Sequence, residues 1–387
     1  MRRVLAVLVV LSTSAAGAQR PAADSITASL PPRVPLPPEA TTSGITRFSF
    51  ISYGDTRGRH DGVDVQAEHK LVIESMLGTI KRLAGTPDAI KFVLQSGDAI
   101  QDGSIAAQLS VSYVPLINRL TQEGGVPYFL SVGNHDVGNA TDLTDARRVT
   151  GLRNFLAANE RLIPHDGSPR RLSGYPTYAF GYGNTFFIAF DSDIPDDETQ
   201  FAWVKSQLEG LDRRRYVNVA VFFHHPPFSS GSHGGAKVER QAESVRTRWM
   251  PLFHAHHVRL LLTGHEHLYE HWVERYKDAT GTHRLDEIVS GGGGAPLTTY
   301  TGEPDLAAYK AASPSAGITL QHLARPSSEP GANPFHYVVV HVDGENISLE
   351  APPGPSGHGG GGPESSGPRS PCRPHNGPER HRKRRAG

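Results

Sequence analysis

Five short stretches gather the side chains best suited to chemistry: Gly54-Asp55, Gly97-Asp98, Gly133-Asn134-His135-Asp136, His224-His225-Pro226-Pro227 and Gly264-His265-Glu266-His267. Carboxylate, carboxamide and neutral imidazole together form a donor set for divalent cations. Two such ions about 3.5–4 Å apart need a bridging carboxylate, imidazoles and further oxygens around each, and open positions for water and substrate. The single cysteine, Cys372, excludes a cysteine-based site. Alone, Asn134 reads as a helix cap and His224 as a hydrogen-bonded core histidine. Beside the other donors, both read as ligands. Glycines next to Asp55, Asp98, Asn134 and His265 are expected to let the backbone turn sharply and approach the metals.

Each stretch follows an apolar, β-rich run, at 47–53, 90–95, 126–132, 218–223 and 258–263, so five predicted strands present polar groups at their carboxyl ends. Val72, Met76, Ile80 and Leu83 recur at helical spacing, as do Phe201, Val204, Leu208 and Leu211; these stripes are core packing. Further strands are expected at 186–190, 286–290 and 337–349, the last containing a turn at Asp343-Gly344-Glu345-Asn346. Alternating strands and helices predict an α/β fold, in which ligands collect beyond the carboxyl ends of the strands.

The order and spacing of the five stretches, across residues 47–295, resemble the motifs of the calcineurin-like metallophosphoesterase superfamily, and His265-Glu266-His267-Leu268-Tyr269-Glu270 is similar to the purple acid phosphatase branch. The resemblance implies a layered α/β sandwich of two mixed β-sheets flanked by helices, and two divalent or mixed-valence ions of iron, manganese or zinc. It implies that Asp98 bridges them, that Asp55 and His267 hold the first, and that Asn134, His224 and His265 hold the second. The implied chemistry is phosphate monoester hydrolysis by metal-bound hydroxide. His135 corresponds to a histidine that contacts phosphate and protonates the leaving group, with Asp136 orienting it. His233, in the flexible loop 229–235, stands near a substrate-facing histidine of that branch, and His225 is expected to support the site.

Two positions depart from the pattern. Arg57 stands where a ligand histidine often occurs, and guanidinium has no lone pair to offer. Gln101 stands where purple acid phosphatases place a tyrosine ligand. The first metal is therefore expected to be more labile, completed by Gln101, Asp102, water or substrate. Arg57 either clamps a phosphate oxygen or makes an ordinary surface ion pair. The alternatives are a phosphodiesterase or nucleotidase on the same metals, or a secreted metal-binding module with weakened turnover.

Other candidates read more plainly. His254, His256 and His257 are expected to be solvated at a helix end. The glycines at 291–294 lack the lysine and Ser or Thr of a P-loop, and predict a flexible turn near the site. Asp191-Ser192-Asp193 suggests capping or loop hydrogen bonds.

The chain has 387 residues, 39 basic and 39 acidic, so no global field calls for nucleic acid, and 37% hydrophobic content suffices for a core. Met1-Arg2-Arg3, the apolar run 4–11 and Ala16-Gly17-Ala18 predict a signal peptide over 1–18 and export to the periplasm or medium. That apolar run is too short for a membrane span, which needs about 20 residues. Residues 19–44, rich in Pro, Ala and Ser, read as a linker, 45–351 as one phosphoesterase domain acting on a small phosphorylated substrate, and 352–387, rich in Gly, Pro and Arg, as a disordered tail.

Overall fold

Rows of aromatic residues facing one another explain why two sheets stack. The computed structural model describes residues 26–235, 237–351 and 370–371. Its strands are β1 (Arg47–Tyr53), β2 (Ile90–Gln95), β3 (Tyr128–Leu130), β4 (Tyr178–Tyr182), β5 (Thr185–Ala189), β6 (Asn218–Phe222), β7 (Leu260–Thr263), β8 (Tyr269–Asp278), β9 (Gly281–Ser290), β10 (Thr319–Ala324), β11 (Val338–Asp343) and β12 (Asn346–Glu350). The first sheet runs β12-β11-β1-β2-β3, extended at its edge by the two-residue strand Ser370–Pro371, and the second runs β10-β8-β9-β7-β6-β5-β4. Phe50, Phe92 and Phe129 of the first sheet meet Phe180 and Phe187 of the second. Ring centroids lie 5.3 Å apart for Phe50–Phe187 and 4.1 Å for Phe129–Phe180.

Strands β1-β2-β3 run parallel out to the edge of the first sheet and β5-β6-β7-β9 run parallel through the centre of the second, and antiparallel strands complete both sheets. Parallel strands need crossovers, which helices supply. These are α1 (Ala67–Leu83), α2 (Val114–Arg119), α3 (Ala146–Asn159), α4 (Glu198–Glu209), α5 (Arg240–Ser244), α6 (Met250–Ala255) and α7 (Ala307–Ala312). The two predicted stripes lie on α1 and at α4. Val204 and Leu208 bury against the outer face of the second sheet, where Trp249 stacks on Phe190 at 4.0 Å. Asp197 caps α4 by accepting from Gln200 N at 2.7 Å, satisfying one of the amides a helix start leaves open.

Strands β4, β8 and β10 and helix α3 escaped the sequence reading. β8 reads Tyr-Glu-His-Trp-Val-Glu-Arg-Tyr-Lys-Asp, yet Glu270, His271 and Glu274 are buried. Their polar partners, not apolar neighbours, make burial tolerable. Helix α3 likewise buries Arg148, whose guanidinium pairs with Asp191.

Residues 26–44, read as linker, lie along the body instead. Ser29 N donates to Ala158 O at 2.7 Å, Arg33 N to Thr121 O at 2.9 Å, and Glu39 accepts from Gly181 N at 3.0 Å and Tyr216 Oη at 3.0 Å. Proline-rich composition hides such docking because the contacts are isolated backbone bonds and one glutamate's hydrogen bonds, without periodicity. The segment 1–18 and the tail, apart from Ser370–Pro371, lie outside the described residues. Among the described residues, no helix is long and apolar enough to cross a membrane.

The core contains one group that should make stability sensitive to acid. His69 is fully buried, bonded to Tyr53 Oη at 3.0 Å and Gln66 Oε1 at 2.8 Å, and burial pushes its pKa down to about 3. The unfolded imidazole titrates near 6.5. Below that pH the unfolded chain takes up a proton the folded chain refuses, so this contribution is full above about 6.5 and falls as pH drops toward 3. We expect His69→Gln to flatten the acid limb of stability against pH by up to about 1.4 kcal/mol per pH unit, read from urea midpoints.

Candidate active site

The loops following β1, β2, β3, β6 and β7 meet at one end of the sandwich. Asp55, Asp98 and His224 place ligand atoms within 4.8 Å of one another, all three buried. Backbone strain gathers there: Asp55, Asp98 and His265 have φ of 60°, 56° and 68°. Left-handed backbone costs a non-glycine residue about 1–2 kcal/mol and persists where the surroundings over-determine it. The neighbouring glycines serve differently from expectation. Gly97 does turn, with φ 98°, but Gly133 supplies room, since a Cβ there would collide with the Asp98 carboxylate.

The hydrogen bonds of three histidines decide which nitrogen faces inward. His224 Nδ1 donates to the Ser96 carbonyl at 2.8 Å, His265 Nε2 to Glu239 at 2.9 Å, and His267 Nδ1 to the Pro296 carbonyl at 2.7 Å. Because each partner can only accept, the opposite nitrogen carries the lone pair whenever the ring is neutral. His224 Nε2 lies 2.9 Å from Asn134 Oδ1, 3.3 Å from Asp98 Oδ1 and 3.1 Å from His265 Nδ1. Asn134 Nδ2 is spent on Asn139, which fixes the carboxamide oxygen inward. Four lone-pair donors thus crowd one point, an arrangement that requires positive charge among them and fits a divalent cation.

A second set is thinner. His267 Nε2 faces Asp55 Oδ1 at 3.5 Å, and that buried oxygen has no hydrogen-bond partner, while Asp55 Oδ2 accepts from His265 N at 2.9 Å. Arg57 Nε lies 3.6 Å from Asp98 Oδ2, with Nη1 on Gln101 Oε1 at 2.5 Å. The guanidinium is therefore turned into the site, not out to a surface pair. Burial would raise the Asp98 carboxyl, but His224, His135 and Arg57 hold it down at about 2. Burial pushes His265 down to about 4 against the opposing pull of Glu239, so its inward nitrogen stays unprotonated at neutral pH.

The remaining candidates divide. His135 N donates to Asp98 Oδ1 at 3.0 Å, its Nδ1 meets the Gln101 carbonyl at 2.8 Å, and its Nε2 lies 4.0 Å from Asp98 Oδ2. Asp136, expected to orient that ring, does not touch it. Its carboxylate accepts from Gly133 N at 2.9 Å and Ala99 N at 3.0 Å, bracing one ligand loop against the other. A 3-10 turn at 135–137 sends the two side chains apart.

His233 does come close, its ring 4.4 Å from His265. Its loop is not loose. Buried Glu266 accepts from Ser232 N at 3.0 Å and Gly234 N at 2.9 Å. His225 is buried behind His265 with Nδ1 on Ser192 Oγ at 2.9 Å, and Ser192 Oγ also accepts from His224 N and His225 N. The glycine run packs tightly too, for a Cβ on Gly291 would strike the Glu266 carbonyl and approach Asp55.

Glu239 was missed by the sequence reading. It stands immediately before α5 and joins His233 to His265, but a lone glutamate before a helix carries no signal of that. Its carboxyl lies well below the ordinary range: burial opposes this, and bonds to His233 and His265 outweigh it. Carboxylates that hold a ligand imidazole typically matter about 10–100-fold in metal affinity. We expect Glu239→Gln to weaken binding of the more tightly held metal by that factor, measured by chelator competition, with the fold unchanged.

This chain belongs to the calcineurin-like phosphoesterase family, whose model matches residues 72–269. Within it, the chain is similar to purple acid phosphatases. Purple acid phosphatase 18 of Arabidopsis thaliana is 23% identical over 145 residues, which are 37% of this chain and 30% of that protein. For purple acid phosphatase 22 of the same plant the figures are 24% over 170 residues, 43% and 36%. The chain thus spans about a third of the length of the curated relatives it matches. The structure of purple acid phosphatase PPD1 from yellow lupin (Lupinus luteus) seeds shares the fold, with a TM-score of 0.58 at 17% identity, covering 83% of this chain and 53% of that one.

Proposed function

We propose that this protein is an exported, metal-dependent phosphoesterase that hydrolyses small phosphate monoesters at a dinuclear centre. The observation that carries the reading is the set of three histidines whose outward N–H groups are tied to Ser96, Glu239 and Pro296, aiming their lone pairs at Asp98, Asn134 and Asp55. Asn134, His224 and His265 would hold one metal, Asp55 and His267 the other, with Asp98 between them. Iron, manganese and zinc all suit this mixture of nitrogen and oxygen donors. Such ions supply charge neutralisation for the phosphoryl oxygens and a strong nucleophile at neutral pH.

The chain's own residues do the rest. Arg57, held by Gln101 and facing Asp98, is placed to bind a phosphate oxygen that approaches the two carboxylates. His135, its Nδ1 held on the Gln101 carbonyl, is the group that would hand a proton from Nε2 to the leaving oxygen. His233, anchored by Glu239 at the mouth of the site, offers its ring to the substrate side. The basic, apolar and small-residue start of the chain supports export.

The test is to assay metal-loaded full-length protein on one monoester and one diester while counting bound metals. Two metals and faster monoester turnover are expected. Folded protein that holds two metals and turns over neither substrate would count against the proposal; one tight metal without turnover would favour a binding module.

A further inference from the structure

Glu266 lies between two ligand candidates, His265 and His267, yet its side chain is buried and turned to the loop at 229–235. A buried carboxylate is costly unless hydrogen bonds replace its water, so its partners disclose its task. They are three successive amides of that loop. Oε2 accepts from Ser232 N at 3.0 Å, and Oε1 accepts from His233 N at 2.5 Å and from Gly234 N at 2.9 Å. Ser232 Oγ adds a longer bond to Oε2 at 3.4 Å. Consecutive amides that converge in this way form an anion-binding nest, and here the anion is the protein's own side chain. The fit is close, for a Cβ on Gly231 would strike the carboxylate.

The rest of the loop is tied from other sides. Ser230 N donates to Glu270 Oε1 at 2.9 Å, Thr301 N to the Ser230 carbonyl at 2.8 Å, and Thr301 Oγ1 to the Gly231 carbonyl at 2.7 Å. His233 itself is fixed at three atoms. Its N donates to Glu266, its carbonyl accepts from Glu239 N at 2.9 Å, and its Nδ1 pairs with the Glu239 carboxylate. That leaves Nε2 of a partly exposed ring, 4.4 Å from the ring of His265, for whatever enters the site.

We propose that Glu266 is a positioning residue for substrate binding: its carboxylate gathers the amides of 232–234 and so holds His233 in place to meet a phosphate oxygen of the substrate. This rests on the phosphoesterase reading, in which His233 faces the substrate. Two consequences follow from the geometry. With the nest filled from within, the loop amides are spent, and recognition from this side falls to the imidazole. And because Glu266 follows His265 and precedes His267 in the chain, the loop is registered to the metal ligands themselves, so a small displacement of either is carried to His233.

The experiment measures KM, kcat, inhibition by inorganic phosphate and bound metal for metal-loaded full-length protein, in wild type, Glu266→Ala, Glu266→Gln, His233→Ala and the Glu266→Ala/His233→Ala pair. Glu266→Ala should raise KM and the inhibition constant of inorganic phosphate together, by roughly 10-fold or more, with as many metals bound as in wild type. His233→Ala should do the same, and the double variant no more than either, because both remove one contact. Glu266→Gln, which keeps an oxygen for the His233 and Gly234 amides, should recover most of the loss. Additive effects in the double variant, or loss of a metal from Glu266→Ala, overturn the positioning role. A wild type that holds its metals and hydrolyses no ester sinks the phosphoesterase reading instead, and calorimetric binding of inorganic phosphate to the same variants then decides the role of Glu266. Should Glu266→Ala not fold, Gly231→Ala, which pushes the carboxylate aside, takes its place. Weakened phosphate binding with faster hydrogen exchange at the amides of 232–234 upholds the proposal, and faster exchange with unchanged phosphate binding refutes it.

Discussion

Replacing Asp98 with alanine should lower monoester hydrolysis by at least roughly 10³-fold, beyond the usual cost of removing one charge-stabilising donor. The reason is that, in the proposed dinuclear centre, one carboxylate would serve both donor sets. Its Oδ1 accepts from His135 N at 3.0 Å and faces His224 Nε2 at 3.3 Å, and its Oδ2 faces Arg57 at 3.6 Å. Alanine therefore removes the shared ligand, the anchor of the His135 backbone and the counter-charge of Arg57 together. Asp98→Asn separates these effects, because the amide keeps the shape and one acceptor but not the charge. Metal counting on both variants should show loss of at least one ion, and Asn should be nearly as inactive as Ala. Near-full activity in either variant would remove Asp98 from the centre. His267→Ala should be milder, since it strips only the thinner set.

The strands that lead to the ligand candidates were legible because burial wrote them as largely apolar runs, four closed by glycine and a polar residue and the fifth, β6, running on into His224. β1 and β2 have the expected limits, Arg47–Tyr53 and Ile90–Gln95. β8 was illegible because Glu270, His271 and Glu274 share its buried positions with Trp272, Val273 and Tyr276, and the burial of those polar residues depends on partners far away in sequence. The six ligand candidates were legible by motif, and they do converge. Their supports were not: Ser96, Glu239, Pro296 and Ser192 act through a backbone carbonyl, a helix start, another carbonyl and a loop hydroxyl, and none has a spacing that announces it. The same limit explains the error over Asp136, where adjacency to His135 suggested contact. Sequence neighbours in a tight turn point apart.

That error sharpens the expectation for His135. If the ring is held by the Gln101 carbonyl at 2.8 Å and not by Asp136, the two residues should fail in different ways. Removing a positioned general acid costs about 10²–10⁴-fold, but only where the leaving group needs a proton. His135→Ala should thus lose that factor in kcat on an alkyl phosphate, whose alkoxide is a poor leaving group. It should lose little on an aryl phosphate whose phenolate departs unassisted. Asp136→Ala should instead lower stability by roughly 1–3 kcal/mol, the cost of leaving the buried amides of Gly133 and Ala99 without an acceptor. Its ratio of alkyl to aryl rates should stay that of wild type. A His135→Ala variant that slows both substrates equally would make the histidine a phosphate-binding group and leave the leaving oxygen to take its proton from elsewhere.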